Sequence, residues 1–186
     1  NNSYHYTAVD TEHGLSQNSV NCIYQDKYGF IWFGTFDGLN RYDGYNFTIY
    51  RHDINDTTTI SNNQIWDIDA DENGHIWIAT NFGLNKFRYD KDNFVNYLHH
   101  SDESNSISHN SVRCVYVDHN NEVWIGTEGG GLNRITKNSE HIITYQHKNH
   151  PFSLSHNIVY SIIEDSFHDI WIGTENGLNK FDREEE

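Results

Sequence analysis

The chain has 186 residues, 15% of them aromatic, with ten Phe, twelve Tyr and five Trp, which is enough for one substantial domain and too much aromatic surface for a disordered chain. Lys and Arg total 12 against 27 Asp and Glu, a net charge of −15, and that balance opposes the contacts by which proteins hold nucleic acid or anionic membrane. No apolar run approaches the length of a membrane span, and Asn1-Asn2-Ser3-Tyr4 lacks the basic-then-apolar profile of a signal peptide.

In chain order, Tyr4 to Ala8 reads first as a short strand. Val20 to Gln25 is rich in β-branched and aromatic residues; the polar turn Asp26-Lys27-Tyr28-Gly29 then leads into Phe30 to Thr35, a hairpin. A turn through Gly38, a third strand from Leu39 to Tyr42, the turn Asp43-Gly44 and a fourth strand from Asn46 to Tyr50 complete the unit. The same grammar then returns three times. Trp32, Trp77, Trp124 and Trp171 recur at separations of 45, 47 and 47 residues. Ser16, Ser61, Ser108 and Ser155 keep step with them, as do Asp26, Asp71, Asp118 and Asp165 and the Gly-Leu-Asn triplets at Gly38, Gly83, Gly131 and Gly177. No 3.6-residue apolar stripe persists between the turns, so helices are not expected.

Four strands per repeat of about 46 residues predict an all-β fold, a β-propeller of four four-stranded antiparallel blades. The repeats fall at about 15–50, 60–97, 107–145 and 154–183 of a single propeller unit spanning residues 1–186. The last lacks an outer strand, and residues 4–8 are an outer strand without a blade, so the N-terminal strand is expected to complete the last blade and close the ring. The alternative is that this strand completes the last blade of a second copy, giving an eight-bladed ring from two chains.

The runs Leu15-Ser16-Gln17-Asn18-Ser19-Val20, Asp26 to Thr35 and Asp37-Gly38-Leu39-Asn40-Arg41-Tyr42-Asp43 resemble the two-component regulator propeller repeat. The resemblance runs from Tyr4 to Arg183. It implies the periplasmic sensor region of a hybrid two-component histidine kinase from a glycan-using gut bacterium. Such proteins carry many more blades, then a β-sandwich, a membrane helix, a kinase and a receiver. The resemblance therefore implies that this chain is a trimmed four-blade piece, which also explains its lack of a signal peptide.

Positions that repeat read as architecture. The four Trp are expected to pack between blades, and Asp26 and its equivalents to hold turn amides. Cys22 and Cys114, at equivalent places, read as small buried side chains. Asp69-Ala70-Asp71-Glu72-Asn73-Gly74 opens like a calcium loop, but Thr80 stands where the closing Glu belongs, so an ordinary turn is expected. His52, His99 and His147, one per outer strand, should point away from any common ion, and no metal or other cofactor is assigned.

Positions that fail to repeat carry the functional expectation. The second residue of each inner strand is Asn21, Trp66, Arg113 or Tyr160, and the adjoining turns hold Phe36, Asp37, Asn81, Phe82, Glu128 and Glu175. Aromatic faces mixed with amides and carboxylates on one propeller face suit an oligosaccharide, the candidate ligand. The leading reading is a non-catalytic, glycan-responsive sensory segment with no membrane contact of its own. Two alternatives stand beside it. One is an enzyme resembling streptogramin lyase, with His109 or His156 and Glu128 or Glu175 around a divalent cation. The other is a scaffold binding neighbouring propeller blades or a second copy.

Overall fold

The computed structural model describes residues 4–137 and 139–183. The first sheet holds β1 (Val20–Gln25), β2 (Ile31–Thr35), β3 (Gly38–Tyr42) and β4 (Phe47–Tyr50); the second holds β5 (Ile65–Ala70), β6 (Ile76–Thr80), β7 (Gly83–Arg88) and β8 (Asn93–Tyr97). The third holds β9 (Val112–Val117), β10 (Val123–Thr127), β11 (Leu132–Ile135) and β12 (Ile142–Tyr145). The last holds only β13 (Val159–Glu164), β14 (Ile170–Thr174) and β15 (Gly177–Phe181). All neighbours within a sheet are antiparallel and follow chain order.

Two local devices explain why each repeat folds alike. The aspartate at each first turn holds the turn with one oxygen and the strand with the other. Asp26 Oδ1 accepts from the Tyr28 and Phe30 amides at 2.9 and 3.0 Å, and its Oδ2 accepts from Trp32 Nε1 at 2.6 Å. Asp118 and Asp165 repeat this with Trp124 and Trp171, each at 2.8 Å. The asparagine of each Gly-Leu-Asn triplet accepts from the amide of the serine that precedes the blade: Asn40 from Ser16, Asn85 from Ser61, Asn133 from Ser108 and Asn179 from Ser155, all at 2.8 to 2.9 Å. The blade entry is thereby tied to its third strand.

The blades pack face to face through three apolar cores. Trp32 and Leu39 meet Ile65, Ile68 and Ile78 of the next blade. Trp77 and Leu84 likewise meet Val112, Val115 and Ile125, and Trp124 and Leu132 meet Val159, Ile162 and Ile172. Trp32, Trp77 and Trp124 are core, as expected, whereas Trp171 in the last blade is only half-buried. Gly34 sets the spacing: a Cβ there would lie 2.4 Å from Cys22 Sγ and 2.6 Å from Ile65 Cγ2, distances no side chain tolerates. Cys114 is buried and Cys22 half-buried, and burial pushes the Cys22 thiol up to about 12, so it is not a reactive thiolate.

The ring is not closed. Ile23 is 66% exposed, whereas its equivalents Ile68, Val115 and Ile162 are buried; Leu178 is 66% exposed, whereas Leu39, Leu84 and Leu132 are buried. Both ends of the row of blades therefore present the apolar face that every internal blade covers. The expected latch is corrected accordingly. Residues 4–8 lie in no strand, Tyr6 is 94% exposed, and the last sheet has three strands.

Candidate ligand-binding face

The first hairpin of every blade shifts register at one place. Val20 pairs Thr35 and Cys22 pairs Gly34, leaving Asn21 between them; the same slip leaves out Trp66, Arg113 and Tyr160. These four candidates are thus the extra residues of β-bulges, which free a side chain from the ladder and re-aim it. A position outside the pairing pattern is also free to vary, which is why they break the repeat.

Three of the four blades contribute to one continuous row. The Trp66 ring meets the Phe36 ring edge-on, with centroids 5.5 Å apart and planes at 82°. The Arg113 guanidinium lies 4.7 Å from the Trp66 ring centroid, a cation–π arrangement. Arg113 Nε donates to the Glu128 carboxylate, and that hydrogen bond holds Glu128 below the usual carboxylate range. The Trp66 indole N–H is buried and has no hydrogen-bond partner among the described residues.

The other candidates serve different purposes. Asn21 Nδ2 donates to the Ile65 carbonyl at 2.8 Å and so braces the next blade. Asp37 is turned to the rim, where Arg51 Nη2 donates to it at 2.9 Å. Asn81 Oδ1 accepts from Ser111 Oγ at 3.2 Å. Phe82 lines a separate cavity of about 540 Å³ with His52, Ile54, Phe94 and Leu98. Tyr160 is exposed near Arg113 in the next blade, and Glu175 lies 3.5 Å from His156 Nδ1. Sequence reading passed over Ser111 because it stands where Ser19 stands in the motif of the first blade and so read as part of the repeat.

The aspartates and histidines weighed as metal ligands make other contacts. Asp71 accepts from the His75 amide and from Trp77, while Asp69 accepts from the Val117 and Ala70 amides, so their oxygens do not converge on a calcium loop. His52, His99 and His147 each place Nδ1 2.8 to 2.9 Å from a carbonyl, of Ile60, Ile107 and Leu154 respectively. A ring nitrogen facing a carbonyl must donate, so these histidines lock the loops that follow the outer strands.

With this geometry established, comparison with known proteins gives the family. The pattern defining the two component regulator propeller matches residues 14–37, 59–82, 106–129 and 153–176. The chain belongs to the two component regulator propeller family. This regulator propeller is 54% identical over 56 residues to histidine kinase P4 of Formosa agariphila, covering 30% of the chain and 4% of that protein. It superposes with a TM-score of 0.78 on a B. thetaiotaomicron structure described as the extracellular domain of hybrid two component system BT4673, at 25% identity. That match covers 94% of the chain and 23% of the solved one. The corresponding domain of BT3049 aligns at 25% identity and TM-score 0.61, covering 97% and 31%. A virginiamycin B lyase from Staphylococcus aureus aligns at 17% identity and TM-score 0.61, over 87% of the chain and 55% of its own length, a likeness of fold alone. The chain thus spans less than a quarter of the kinase and of the BT4673 domain. Among the described residues no helix is long and apolar enough to cross a membrane.

Proposed function

We propose that this regulator propeller is a non-catalytic recognition segment of the periplasmic sensor of a hybrid two-component receptor, and that its ligand is an oligosaccharide taken on the Phe36–Trp66–Arg113–Glu128 row. The observation that carries the reading is the Trp66 indole. Its ring stands between an aromatic edge and a guanidinium. A sugar stacks an apolar face on such a ring and offers hydroxyl donors to Glu128. A sensor needs only differential affinity between two states, with no catalytic group. His109 and His156 fit this reading too, since their Nδ1 atoms accept from the Ser111 and Ile158 amides at 3.0 and 3.1 Å and serve the loop.

The exposed Ile23 and Leu178 faces extend the proposal to the whole ring: each receives a further blade of the same repeat, so that the four blades are a segment of a larger propeller. The test of the ligand reading is a thermal-shift screen against a panel of oligosaccharides. A true ligand at a hundredfold excess over its Kd should add about 2.7 kcal/mol to stability, and Trp66→Ala should abolish the shift. A panel without effect, or a shift unchanged in Trp66→Ala, refutes it.

A further inference from the structure

On the opposite side of the blades, at the turns between first and second strands, three donor side chains from blades three and four meet. His119 leads the turn after β9, Glu164 ends β13, and His168 sits in the turn after β13. Their ligating atoms all lie within 4.8 Å of one another. His119 Nδ1 contacts Glu164 Oε1, and His168 Nδ1 lies 3.3 Å from the same oxygen. The two imidazoles stack with centroids 3.9 Å apart and planes at 29°. The Glu164 side chain is only 7% exposed, and the His168 ring above it is 60% exposed.

None of these three residues belongs to the repeat. Where His119 stands, the other turns have Lys27, Glu72 and Ser166; where Glu164 stands, the other strands have Gln25, Ala70 and Val117. His168 occupies the place of Gly29, Gly74 and Asn121, all in the left-handed region, and adopts φ 69° itself.

We propose that His119, Glu164 and His168 form a binding site for a divalent transition-metal ion of the zinc class, bridging blades three and four. Ligands about 2 Å from a tetrahedral ion stand roughly 3.3 Å from each other; His168 Nδ1 and Glu164 Oε1 already stand so, and His119 Nδ1, now in hydrogen-bond contact with that oxygen, must exchange this contact for the ion. Two imidazoles and one carboxylate are the borderline donors this ion favours. The remaining position opens to solvent past the exposed His168, so water or a partner's side chain completes the coordination. Glu164 Oε2 accepts from the His119 amide at 2.9 Å, which fixes the carboxylate while Oε1 faces the imidazoles. The ion would tie β13 to the turn of the neighbouring blade.

The experiment is a calorimetric titration of the chain with zinc chloride at neutral pH. The expected result is one ion per chain, with affinity falling about tenfold or more in each of His119→Ala, Glu164→Gln and His168→Ala, and unchanged in His100→Ala, which removes an exposed histidine elsewhere. Nitrogen-15 spectra of the unmodified chain add a readout independent of variant folding: zinc should shift the Nδ1 resonances of His119 and His168 before those of other histidines. Absence of binding overturns the proposal. So does binding that survives all three substitutions, or imidazole shifts spread evenly over the thirteen histidines.

Discussion

Asp67 shows how far a single side chain can depart from the role its position suggests. It occupies the place that Cys22 and Cys114 fill in neighbouring blades, and its Oδ2 accepts from the Val115 amide of the next inner strand at 3.1 Å. Asp69 does the same for Val117 at 2.7 Å, so two carboxylates of β5 cap the inner edge of β9. Burial pushes Asp67 up to about 6, against the lowering effect of the Val115 hydrogen bond. Between the ordinary carboxylate value and that figure, the folded chain holds a proton that the unfolded chain has released. Stability from this group therefore falls as pH rises across the window. Asp67→Asn keeps an acceptor and removes the titration; wild type should gain about 2 kcal/mol relative to the variant between pH 7.5 and pH 4. Urea denaturation at several pH values measures this, and parallel curves would refute it. None of this was legible in sequence, because the partner lies 48 residues away on another blade.

At the scale of the blade, the repeating residues were legible because their partners are near in sequence. Asp26 meets Trp32 six residues on, and Ser16 meets Asn40 within the same unit. The bulges at Asn21, Trp66, Arg113 and Tyr160 were visible only as variability; the register slip that causes it needs two strands to be seen. The Ser–Asn tether also gives a graded prediction. Asn85 is fully buried and Asn179 half-buried. Asn85→Ala leaves the Ser61 amide unpaired in the core and should cost about 1–3 kcal/mol, while Asn179→Ala in the last blade should cost less. Equal losses in urea denaturation would show that the tether does not depend on its burial.

Over the whole molecule, stability is a sum of blades and the faces between them, and the faces are unequal. Ile68 is buried between blades one and two, whereas Ile23, its equivalent, looks into solvent. Ile23→Lys should therefore leave the stability of this chain within about 0.5 kcal/mol. Ile68→Lys, which buries an unpaired charge, should unfold it or cost several kcal/mol. Circular dichroism melts of the two variants decide the matter. If Ile23→Lys proves equally damaging, the trailing face is covered, and the arc is closed in solution.

The repeat, the strands and the turn aspartates were determined by the sequence alone, since each rests on contacts within one unit and was displayed four times; the tryptophans were legible as architecture because they recur in every unit. The tertiary structure alone decided that the N-terminal segment does not finish the last sheet, that Trp66 and Arg113 share one row, and that two histidines and a glutamate from adjoining blades converge. The physical reason is the same in each case. Closure depends on the small rotation between successive blades, accumulated along the row, and contacts between blades join residues some 45 positions apart; neither quantity is written in any single repeat.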